Sequence, residues 1–153
     1  MYTGLLHTHS LLRWIMLVLL IAAIFRAYNG WQTKRNYTPA DKKLTLFTLI
    51  FSHIQLLIGF LLYMVSPTIQ LQALPDMAAA MKDKMLRFWA VEHISMMIIA
   101  IMIITIGYSL AKRATNDADR FRKIFIYFLI SLLIILITIP WPFTQTGAGR
   151  GWL

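Results

Sequence analysis

Apolar side chains run almost unbroken through four stretches of the chain, residues 5–28, 44–65, 86–110 and 121–139, and polar residues gather in the three connectors between them. Each stretch, wound as an α-helix, is long enough to cross a hydrocarbon layer of about 30 Å. The pattern predicts helices over about 5–29, 43–66, 86–111 and 120–139, so that residues 1–153 make a single integral membrane domain of the all-α class. Nearly all ionisable residues fall outside these runs or near their ends; the exceptions are Arg13, His53, Glu92 and His93. A charge at the bilayer centre costs about 3 kcal/mol or more, so such side chains usually face other helices and often mark a site.

Local punctuation frames these helices. Asn29 and Gly30 are expected to close the first, and Thr38 with Pro39 to open the second as a cap followed by a first-turn proline. Ser66 and Pro67 stop the second helix, and residues 76–85 can form a short interfacial helix in the longest connector. Asn116 and Asp117 open the fourth helix, Pro140 to Pro142 end it, and residues 144–153, with Arg150 and Trp152, form an irregular tail. Tyr2, Trp14, Trp31, Trp89 and Trp141 fall near the expected boundaries, where amphipathic rings settle. Short connectors favour sequential neighbours, hence an antiparallel four-helix bundle.

Charge sets the expected orientation. The first connector and its flanks carry Arg26, Lys34, Arg35, Lys42 and Lys43, and the third carries Lys112, Arg113, Arg120, Arg122 and Lys123. The other side has fewer cations, diluted by Asp76 and Asp83. By the positive-inside rule the first and third connectors are cytoplasmic and both termini lie outside. Arg26 is expected only to snorkel its guanidinium to the inner interface. The first run lacks a basic leader segment and reads as a retained anchor.

Composition narrows the function. With 59% hydrophobic and 14% charged residues, the chain has little polar sequence to spare for a soluble domain. The net charge of +9 sits at helix ends, where topology and anionic headgroups account for it, so it does not signal nucleic acid. The absence of cysteine excludes disulfides, thiolate metal sites and covalent haem attachment. No residue set forms a nucleophile, a phosphate loop or a carboxylate pair, so neither hydrolytic nor transfer chemistry is expected.

The histidines carry the remaining signal. At 1.5 Å per residue His9 lies about 6 Å and His93 about 10 Å below the outer helix ends, whereas His53 lies about 18 Å deep. His9 and His93 are therefore the first choice as paired ligands, and His53 with His93 the second. Two imidazoles on facing helices suit the axial positions of a haem held in an apolar bundle. Arg13, one turn below His9, and Arg87 are candidate partners for haem propionates, and Glu92 is the alternative partner for Arg13. In the competing reading, Arg13, Glu92 and the histidines are a buried polar network of a membrane subunit or assembly factor without cofactor. His7, His9, Met96 and Met97 would suit copper handling, a weaker alternative. Ser52, Gln55 and Gly59 fit close helix packing with an interhelical hydrogen bond.

The run from His7 to Trp14, the segment from Gln55 to Gly59 with Tyr63 and Pro67, Leu86 to Phe88 with Val91 to His93, and Ile139 to Pro142 resemble a family of small bacterial four-helix membrane proteins labelled cytochrome b-like. The similarity covers nearly the whole chain. It implies haem b in the bacterial inner (cytoplasmic) membrane, with His9, Arg13, Glu92 and His93 carried over as the site and His53 matched less securely. It implies electron transfer near the outer face, as a small subunit of a respiratory complex or in exchange with quinone. The regularly spaced histidine pairs of dihaem cytochromes b are missing, so at most one haem is expected.

Overall fold

The computed structural model describes residues 1–147, so Arg150 and Trp152 lie outside the described residues. Six α-helices follow in order: α1 (Tyr2–Gln32), α2 (Pro39–Val65), α3 (Met77–Ala80), α4 (Lys84–Arg87), α5 (His93–Lys112) and α6 (Asp117–Thr138). Two π-helical turns, Thr68–Ala73 and Phe88–Glu92, are interposed, the second of which makes α4 and α5 one continuous helix, Lys84–Lys112. Among the described residues there is no strand. Four helices, Tyr2–Gln32, Pro39–Val65, Lys84–Lys112 and Asp117–Thr138, are long and apolar enough to cross a membrane, with mean hydropathy of 2.0 to 2.3 over their most apolar windows. The chain has the makings of a multi-pass membrane protein.

The four long helices close into a bundle. α1 packs against α2 and α6, α5 packs against α6, and a sparser contact between α2 and α5 completes the ring. The largest fully buried side chains run from Phe121 and Ile124, near the end where the two short connectors lie, through Leu20, Ile104 and Phe128 farther along the helices, to Ile135. Small residues let backbones approach there, as expected where packing replaces the hydrophobic effect between helices. A β-carbon at Gly107 would collide with Cβ of Tyr127 on α6, and one at Gly30 would strike the Phe121 ring. Ser131 Oγ donates to the Ala100 carbonyl at 2.9 Å and ties α6 to α5.

Helix ends follow the sequence in most places. Thr38 forms a capping box with Asp41, with Pro39 in the first turn; α2 stops at Val65, and Asn116 caps α6. The first helix differs. Asn29 and Gly30 do not close it, because Gly30 is the notch that receives Phe121, and helix continues to Gln32. The longest connector holds a π-helical turn and two one-turn helices rather than a single helix over 76–85.

Asp41 organises the first connector. It is only 3% exposed and accepts hydrogen bonds from the Thr38 amide and hydroxyl, from Arg26 Nε at 2.9 Å and from both Nη atoms of Arg35 at 2.7 and 2.8 Å. Arg26 thus does more than snorkel: it pins α1 to the start of α2. Burial raises the Tyr37 phenol above its ordinary pKa, keeping it a neutral partner for Thr45 at 3.0 Å. Asp41→Ala is expected to cost about 2 kcal/mol, less than a fully buried pair because both arginines reach water. Arg26→Ala should cost less than about 1 kcal/mol. Thermal unfolding in detergent measures both.

Candidate functional site

Away from that packed end, the N-terminal half of α1, the C-terminal half of α2, the segment around His93 and the last turn of α6 part to enclose a cavity of about 370 Å³. This lies within the range of small-molecule and cofactor sites. Its wall is mostly apolar, with Leu6, Met16, Phe60, Ile94 and Ile139 among the lining residues, and its polar members include His7, His9, Ser10, Arg13, Gln55, Tyr63 and His93. The depth arithmetic that paired His9 with His93 is matched by their shared cavity.

His93 is held in a defined state. It follows the π-helical turn, and its ring contacts Phe88 and Trp89, each with centroids 5.7 Å away. Its Nδ1 lies 3.1 Å from the Thr138 carbonyl oxygen at the end of α6. A carbonyl can only accept, so Nδ1 is the donor in this contact, and in the neutral ring the lone pair is on Nε2. A ring nitrogen bonded to a carbonyl is the usual second partner of a metal-binding histidine.

His9 is placed differently. Its ring edge lies against Gly59 on α2, where an added β-carbon would come within 3.1 Å of Cε1, and its Nδ1 is buried without a hydrogen-bond partner. Gln55, one turn earlier on α2, donates from Nε2 to the His9 carbonyl at 2.9 Å, the interhelical bond expected from sequence. The Gln55 Oε1 is buried and also without a partner. Arg13 lines the same cavity with its guanidinium 5.3 Å from the Trp14 ring, and His9 is within electrostatic range of Arg13 and His93.

The other expected site residues are not brought here. Arg87 and Glu92 pair with each other, Nε to Oε1 at 2.6 Å, and neither is among the cavity residues. The anticipated alternative pair of Arg13 with Glu92 is thereby replaced. His53 is exposed on the outward face of α2, its Nδ1 2.8 Å from the Leu49 carbonyl of its own helix. Met97 lines the cavity and Met96 does not. Sequence reasoning missed the Thr138 carbonyl and undervalued Gly59: backbone acceptors leave no residue signature, and only the small size of glycine hinted at a close approach.

Among the described residues no cluster of three or more histidine, cysteine or carboxylate side chains could hold a bare metal ion. A haem would need two imidazoles, and the residues present fit one: two histidines on one cavity, one with Nδ1 donated to a backbone carbonyl, beside an arginine. Comparison of the chain with protein-family models, curated proteins and solved structures finds no match.

Proposed function

We propose that the protein is a b-type haem protein of the bacterial inner membrane that transfers electrons near the outer face, with His9 and His93 as axial ligands. The observation that carries this reading is the meeting of both imidazoles at one cavity, with Nδ1 of His93 committed to the Thr138 carbonyl. When bound, haem supplies one-electron chemistry whose potential the axial ligands and their hydrogen bonds set. Arg13 offers a cation to a propionate, and the apolar wall excludes water. The resemblance to cytochrome b-like membrane proteins points the same way. Exchange with a membrane quinone, or with a larger respiratory complex, would supply and remove the electron.

An antiparallel bundle with both termini outside accompanies this proposal. It is supported by connectors of only a few residues, 33–38 and 113–116, by the opposite ends with which successive helices reach the cavity, and by basic residues concentrated in those two connectors and the helix ends that flank them. The cavity then opens toward the outer leaflet.

The test is the absorption spectrum and metal content of protein purified from haem-replete cells. A Soret band with about one iron per chain is expected. Colourless, iron-free protein would overturn the proposal. Bound copper instead of iron would favour the alternative in which His7, His9, His93 and Met97, all on the cavity wall, take a soft metal.

A further inference from the structure

Two residues already joined by a hydrogen bond each carry a complementary buried atom that binds nothing. Gln55 is 7% exposed, its amide nitrogen fixed on the His9 carbonyl, and its Oε1 has no partner. His9 Nδ1, on the residue that Gln55 already grips, has none either. An unsatisfied buried polar atom is costly, so one hydrogen bond between the two would relieve both. Gly59 lets the His9 ring lie directly on α2 near Gln55, and any side chain there would push the ring away.

The two atoms attract only if Nδ1 carries the proton. That tautomer leaves the lone pair on Nε2, the state in which the Thr138 carbonyl already holds His93. We propose that Gln55 is the positioning residue of His9: its Oε1 accepts from His9 Nδ1 when Nε2 of that ring serves as a haem ligand. The inference rests on the haem reading. It gives the two ligands matched support, a backbone carbonyl for one and a side-chain carbonyl for the other. An acceptor behind an axial imidazole raises its basicity and favours ferric over ferrous iron.

The test compares Gln55→Leu and Gln55→Met, which lack the acceptor, with Gln55→Glu, which retains one. The midpoint potential of the haem-loaded protein is measured for each. The first two are expected to lose about tenfold in ferric over ferrous preference, an upward shift of about 59 mV for a one-electron couple, while the glutamate variant stays at or below the parent. A purely structural role would move the variants together, so a common shift, or none, overturns the inference while leaving haem binding intact. Nitrogen NMR of histidine-labelled, reduced haem-loaded protein is the second readout: the His9 Nδ1–H should be protected from exchange in the parent and lose that protection in Gln55→Leu. Unchanged protection overturns the assignment. Colourless parent protein overturns the haem reading itself, and this inference about a ligand falls with it.

Discussion

His93→Ala is expected to abolish the Soret band and to lower haem retention by more than about 100-fold, beyond the 10- to 100-fold typical of losing an outer partner of a ligand. The alanine would remove one of the two proposed ligand nitrogens and would leave the Thr138 carbonyl with nothing to hold. His53→Ala is the matched control. That imidazole lies on the outward face of α2, bonded to its own helix, and its removal should leave the spectrum unchanged. Absorption spectra and pyridine haemochrome assays of the two purified variants decide the matter. A full spectrum in His93→Ala, or its loss in His53→Ala, would mean that the ligand set is wrong.

Gly107→Val should be the most damaging substitution for the scaffold, by about 3 kcal/mol, the upper part of the range for overpacking. The obstacle is Cβ of Tyr127, rigidly attached to the α6 backbone, so no rotamer change relieves the clash. Only separation of α5 from α6 can, and those two helices share the most extensive contact in the bundle. Gly4→Val is the companion variant, since nothing lies within 4 Å of a β-carbon there. Its effect should stay within about 0.5 kcal/mol, as for an uncrowded helical site. Thermal unfolding in detergent separates them; equal melting temperatures would refute the packing argument.

Much of this was legible in the chain because membranes impose simple rules. Hydrocarbon thickness sets the length of an apolar run, so four spans could be read directly, and the caps at Thr38 and Asn116 followed from their side-chain oxygens. Helical rise placed His9 and His93 at similar depth, a prerequisite for meeting. What stayed hidden depended on contacts across the bundle or on unusual helix geometry. Gly30, after asparagine, carries a local stop signal that the fit of Phe121 overrides. Arg87 and Glu92 are five apart, which on a regular α-helix separates them by about 140°. The π-helical turn Phe88–Glu92 winds more slowly, bringing them together and withdrawing both from the cavity.

The cavity draws its walls from helices far apart in the chain: α1 supplies His9 and Arg13, and the last turn of α6 supplies the carbonyl on which His93 leans. Such a chamber cannot form before α6 has closed onto α1 and α5. Any group it holds would therefore be loaded after those helices assemble, a maturation step separate from insertion.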